Sequence, residues 1–163
     1  MKRCLFITLL FCFTQLYAIN GNDTIEKKLR TIKNDSTKLD YLCDVCVQFI
    51  NTDKPKAKQY CQLMIDISKN CKNDFKNANA YRLAGIYYQE IQDYQNSLNY
   101  YNKAINIIAK IHNANGKILY AKTLESFGTL YHSNGDFESA LKLYLKADSI
   151  FSEYHEVNAL IIL

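Results

Sequence analysis

The residues of this 163-residue chain best suited to chemistry are its thiols. Cys43 and Cys46 form a C-x-x-C pair with Cys61 and Cys71 downstream, a pattern that in an exported protein raises a redox or metal-binding role. Either role needs a stabilised thiolate, at a helix start or in a turn of the zinc-knuckle kind. Cys43 and Cys46 fall instead in the middle of an apolar-periodic segment. Buried packing therefore outweighs a redox or metal site, no metal is expected, and a structural disulfide involving Cys71 stays open. His112, His132 and His155 stand at separate helix ends without a companion Ser, Cys or carboxylate pattern, and read as solvated polar residues. No phosphate-cradling Gly loop, zinc motif or nucleophile elbow occurs in the sequence. The expectation is a protein with no enzymatic activity and no cofactor.

The elements that hold these residues follow from composition and periodicity. The chain is 48% hydrophobic and 22% charged, with five Gly and one Pro, which suits long helices joined by brief turns in one compact domain or one short solenoid. Residues 1–18, MKRCLFITLLFCFTQLYA, read as a secretory signal peptide: two cations, an apolar stretch from Cys4 to Phe13, and Ala18 at the cut. That stretch is about half of the roughly 20 residues needed to cross a bilayer. The bulky Phe11 before Cys12 argues against a lipoprotein. The expected location is periplasmic or extracellular. Removing Lys2 and Arg3 takes Lys+Arg from 20 to 18 against 16 acids, so net charge falls from +4 to +2. With no basic stripe, no nucleic-acid partner is expected.

Apolar spacing predicts helices over 24–33, 37–51, 54–70, 75–91, 94–112, 117–133 and 137–153, with a further one opening near 156. Asn134-Gly135-Asp136 supplies a left-handed residue and then a carboxylate cap, Asp93 and Asp53 take similar places, and Pro55 fits a first helical turn.

These helices repeat. Tyr81-Arg82-Leu83-Ala84-Gly85-Ile86-Tyr87-Tyr88 aligns with Leu124-Glu125-Ser126-Phe127-Gly128-Thr129-Leu130-Tyr131 at an offset of 43, and the alignment continues through Ser97 with Ala140, Tyr101 with Tyr144, and Ala104 with Ala147. Gly85 and Gly128 should let the first helix of each pair approach the second, with Ser97, Ala140, Ala104 and Ala147 doing the same from the other side. Tyr88, Tyr131, Tyr101 and Tyr144 should fill the remaining space and reach the neighbouring pair. A weaker copy runs through Leu42, Val45, Cys46 and Phe49, then Ala57, Cys61 and Met64, with a turn one residue shorter and Cys46 in the Gly role. Of the 13 tyrosines most belong to this packing frame, and Tyr87, Tyr100 and Tyr120, which lie off it, read as surface or inter-repeat packing.

This pattern resembles the tetratricopeptide repeat over residues 36–153, in three pairs at about 36–72, 75–112 and 117–153. The resemblance implies an all-α, right-handed solenoid and a protein or peptide partner bound in the concave groove lined by the first helix of each pair. Carried onto the two good repeats, the groove residues are Asn79, Arg82, Ile86, Gln89 and Glu90, then Lys122, Glu125, Thr129, His132 and Ser133. Their mixed charge suits a polar ligand. Ile86 and Glu125 replace the Asn and Lys of the basic clamp that holds a C-terminal carboxylate, so that ligand is not expected. The longer helices resemble those of bacterial sensor and regulator proteins. The alternative function is therefore the sensory N-terminal part of a membrane-bound histidine kinase or transcription regulator, and only there would a membrane be involved.

Two expectations concern the ends. Residues 19–35 should supply a linker and a capping helix, with Ile25, Leu29 and Ile32 on one face and Asp23 with Glu26 as a capping-box-like start. That helix should cover an apolar groove side formed by Cys43, Val47 and Ile50. Residues 154–163 read as the start of a further, incomplete repeat, since the same offset from Leu124 and Gly128 reaches 167 and 171. Leu160, Ile161, Ile162 and Leu163 would then expose on the order of several hundred Å² of apolar surface and promote self-association through this end.

Overall fold

The computed structural model describes residues 24–161, with side chains to residue 154. The expected signal peptide at 1–18, Asp23 of the expected capping box and the side chains of the terminal aliphatic run lie outside that description. Within it the chain is all-helical: α1 (24–31), α2 (Asp35–Ile50), α3 (Lys54–Ser68), α4 (Asp74–Glu90), α5 (Tyr94–Ile108), α6 (Ala114–Ser133) and α7 (Phe137–Ile161).

Capping chemistry sets where these helices begin. From α2 onward each is preceded by an Asn or Asp whose side-chain oxygen accepts the backbone N–H three residues on. Asn34 takes Thr37 at 3.0 Å, Asn73 takes Lys76 at 3.1 Å and Asn113 takes Gly116 at 2.9 Å. Asp53 takes Lys56 at 3.1 Å, Asp93 takes Asn96 at 3.1 Å and Asp136 takes Ser139 at 3.0 Å. Asn thus opens the first helix of every pair and Asp the second, each cap contributing about 1 kcal/mol.

Several boundaries differ from the sequence expectation. The first helix stops at 31 rather than 33. The fifth ends at Ile108 rather than 112, because the Lys110 and Ile111 N–H groups tighten onto the carbonyls three residues back, at 3.1 and 2.8 Å, and Asn113 caps a helix that starts at Ala114 rather than 117. The seventh runs through 153 without a break to Ile161, so residues 154–161 continue α7 and do not open a separate repeat; no Gly or Pro stands there to stop a helix.

The α4–α5 and α6–α7 turns pass through a left-handed residue: Gly135 at φ 83° and, at the equivalent position, Gln92 at φ 61°. A side chain in that region costs about 1–2 kcal/mol, which glycine avoids. Gln92→Gly should therefore raise stability by about 1 kcal/mol in urea unfolding, and a lowered midpoint would show that Gln92 makes a compensating contact.

Short turns make each successive pair antiparallel: α2 with α3, α4 with α5, α6 with α7. Pairs join through a consistent set of contacts, α2 with α4 and α4 with α6 along one row, and α3 with α4 and α5 with α6 across it. The first helices thus lie side by side in an inner row with the second helices outside them.

Close approach within a pair depends on one residue. A Cβ at Gly85 would fall 2.7 Å from Cδ1 and Cε1 of Tyr101, and one at Gly128 would fall 2.8 Å from Cε1 of Tyr144. The partner of each glycine is therefore the tyrosine ring of its own repeat, with Ser97 reaching the Gly85 carbonyl from below at 2.8 Å. Tyr101 goes on to stack on Phe127 of the next pair at 5.4 Å, and Phe127 stacks on Tyr131 at 5.0 Å. Tyr100 is sandwiched between Tyr81 and Tyr88 at 6.1 and 5.2 Å, and Tyr88 joins the core of the preceding pair. Cys46, Ala57, Ala104, Ala140 and Ala147 are buried at these same register positions.

Helix α1 lies against α2 and α3. Leu29 is buried in the core with Ile25 beside it, Lys28 sits 4.2 Å above the Tyr41 ring, and Gln59 donates to Glu26 at 3.3 Å. The apolar groove side proposed from sequence as its target is different in fact. Cys43 and Ile50 are both buried within the first pair, and of the three residues only Val47 is exposed, at 56%. Cys43, Val47 and Ile50 stand at i, i+4 and i+7 on one helix face, so what separates Val47 from the other two is how far the neighbouring helices cover that face, which spacing alone does not reveal.

Candidate functional site

The inner row α2, α4, α6 carries the groove residues, and packing has divided them into two groups. On α4, Asn79, Arg82, Ile86 and Gln89 are half-buried and only Glu90 is exposed, whereas on α6 Lys122, Glu125, Thr129, His132 and Ser133 are all exposed. The reason is position: α4 has a first helix on either side of it, α2 and α6, whereas α6 has a first helix on one side alone among the described residues, α4.

The half-buried residues hold one another. Arg82 donates from Nε at 3.3 Å and Nη2 at 3.0 Å to the Asn79 side-chain oxygen. Burial lowers the Arg82 pKa, opposed by the nearby Tyr101, Cys43 and Glu125, and the guanidinium keeps its charge. Tyr101 donates to Gln89 at 3.1 Å, and burial holds its phenol well above the ordinary tyrosine range against the pull of Arg82. In the next repeat Tyr144 repeats the reach, donating to Thr129 at 3.2 Å. The second-helix tyrosines of the second and third repeats thus each hold one side chain on the groove wall, a coupling that helix-face assignment had not anticipated. Ile86 packs both against the core of the first helix pair and against the Tyr101, Phe127 and Leu130 cluster, and the exposed Val47 stands at the equivalent position on α2.

At one end of the groove a cleft of about 370 Å³ opens between the C-terminal turns of α4 and α6, lined by Gln89, Glu90, Gln92, Tyr94, Leu130, Ser133 and Asn134. Gln89, Glu90 and Ser133 were expected there from the repeat pattern. Gln92 and Asn134 come from the turns, Tyr94 from α5 and Leu130 from the buried side of α6, and were missed because the groove assignment took only the exposed face of the first helices. The signal available was Gln92, a residue standing where the next repeat has Gly135. His132 meets the edge of Phe137 at 5.2 Å close to this cleft.

Among the described residues Cys43, Cys46, Cys61 and Cys71 are all free and buried. Burial pushes the Cys43 thiol up to about 12, with Cys46 adding to the effect, and the Cys46 thiol is raised as well, by its neighbour Cys61 and by burial. Protonated thiols in an apolar core are poor nucleophiles and poor ligands. Among the described residues no group of three or more His, Cys, Asp or Glu is arranged to hold a metal, and no helix is long and apolar enough to cross a membrane.

Residues 57–153 match the tetratricopeptide repeat family. The match takes in α3 to α7 and leaves out α2, the helix in which Cys46 stands in the glycine position. No curated protein and no solved structure matches the chain.

Proposed function

We propose, from the premise that this chain belongs to the tetratricopeptide repeat family, that it is an exported interaction module seating a segment of a partner protein along its inner row of helices. Repeats of this family mediate protein–protein interaction and the family is one of non-catalytic interaction modules. The observation that carries the reading is the contact of α2 with α4 and of α4 with α6, which lays Val47, Ile86, Lys122, Glu125 and Thr129 along one face. Such a face offers an apolar strip beside charges of both signs, suited to an extended segment with alternating apolar and polar side chains. The cationic, then apolar, opening at residues 1–18 supports export.

The half-buried Arg82 is unsuited to a charge-reversal test, since a carboxylate there would be desolvated against the Asn79 oxygen. Lys122 and Glu125 are exposed and serve instead. Lys122→Glu with Glu125→Lys should cut capture of the partner from envelope extract at least about ten-fold while leaving the melting temperature in place, because surface charges contribute little to folding and more to recognition. Capture that survives this exchange and is abolished by Lys58→Glu on α3 would move the partner off the groove and overturn the reading.

A second face supports self-association of the same module. Phe137, Leu141 and Leu145 are 64%, 57% and 61% exposed along one stripe of α7. At the equivalent places on α5, Tyr94 and Leu98 pack under Phe127 and Leu130 of α6. The occupant we assign to the α7 stripe is the same stripe of a second copy, in an isologous pair that buries both at once.

A further inference from the structure

The first repeat solves the packing of its helix pair differently from the other two, and the difference puts two thiols face to face. In the second and third repeats the position of closest approach pairs a glycine with a tyrosine ring, Gly85 with Tyr101 and Gly128 with Tyr144. In the first repeat those positions hold Cys46 and Cys61, both only 1% exposed. The register between α2 and α3 is fixed independently from either side. Cys43 Sγ lies 3.6 Å from Met64 Sδ, and the Phe49 and Tyr60 rings stack at 5.8 Å. Three residues on along α2 from Cys43 and three back along α3 from Met64, one turn on each of two antiparallel helices, lead to Cys46 and Cys61. Cys61 is also the neighbour that most raises the Cys46 thiol, in keeping with that register.

We infer that Cys46 and Cys61 are the site of a disulfide that joins α2 to α3 when the chain folds in an oxidising compartment. Cys43 is not a competitor across the helix pair, since it faces a thioether, which cannot form a disulfide. Cys71 is buried where the chain turns from α3 to α4, beyond the contact register of the pair. The reaction balances with a low-molecular-weight disulfide such as oxidised glutathione as oxidant. One cysteine thiolate attacks it to give a mixed disulfide and one reduced glutathione. The second thiolate then displaces the other glutathione, so that two thiols lose two protons and two electrons and one S–S bond forms. Because both thiols are buried and protonated in the folded state, the exchange belongs to the folding chain, before the core closes. The inference stands apart from the groove reading and needs no partner.

The test refolds the full chain from guanidinium in a buffer of reduced and oxidised glutathione, traps free thiols, and maps tryptic peptides by mass spectrometry. The expected product is a chain in which the peptide carrying Cys43 and Cys46 is joined to the one carrying Cys61. The link should persist in Cys43→Ala and disappear in Cys46→Ala. Oxidised protein should melt about 5 °C or more above the same protein after reduction, because a short loop is closed in the unfolded state, and Cys61→Ala should erase that difference. A link that runs between Cys43 and Cys46, a link to Cys71, or a chain whose Cys46 and Cys61 stay reduced after folding in this buffer would each overturn the assignment.

Discussion

Gly85→Val should cost about 3 kcal/mol, while Gly128→Val should cost about 1 kcal/mol. The two glycines hold equivalent positions, and a Cβ at either would fall inside 3 Å of a tyrosine ring carbon. What separates them is whether that ring can yield. Tyr101 is fully buried, stacked on Phe127 at 5.4 Å and donating to Gln89 at 3.1 Å, so it has nowhere to turn. Tyr144 is only half-buried, with no described helix packed beyond α7, and can swing outward. The propensity gained by replacing a mid-helix glycine is below about 1 kcal/mol and does not offset the clash at Gly85. Against a total stability on the order of 5–15 kcal/mol, a 3 kcal/mol loss is readily seen as a lower urea midpoint at unchanged slope. Equal midpoints for Gly85→Val and the unmutated chain would mean that the close approach of α4 and α5 is not what holds the second repeat.

The other large effect concerns association. Leu141→Glu with Leu145→Glu should convert an associating chain into a monomer by light scattering, with no loss of helicity by circular dichroism. Both side chains are more than half exposed, so folding gains little from them, whereas a pairing face loses its apolar centre and acquires four like charges across a two-fold axis. Lys142 already pairs with Glu138 at 2.7 Å beside the stripe, which leaves little cationic charge to neutralise the new carboxylates. Should the unmutated chain scatter as a monomer at the same concentration, the stripe is not a self-association face.

Much of this architecture was legible before any coordinates, for local reasons. An Asn or Asp three residues ahead of the N–H it accepts is a feature of four consecutive residues, so the helix starts could be approached from spacing alone, and the errors fell where no breaker exists, as beyond residue 153, or where a cap was overlooked, as at Asn113. The glycine-to-tyrosine pattern was equally visible, since close helix approach restricts residue type at fixed intervals. What each glycine touches was not, because the ring that fills the space belongs to another helix.

By itself, then, the sequence determined the helices, their pairing and their repetition, because capping, apolar period and small residues act within a turn or between neighbours along the chain. Tertiary structure decided everything that depends on which helix lies alongside which. It buried Cys43 and Ile50 while exposing Val47, half-buried Arg82 and left its α6 counterpart Glu125 in solvent, and set Cys46 against Cys61 through a register fixed by Met64 on one side and Tyr60 on the other. Accessibility and thiol proximity are sums over contacts from several helices, and a helix-face assignment made from one helix at a time contains none of the others.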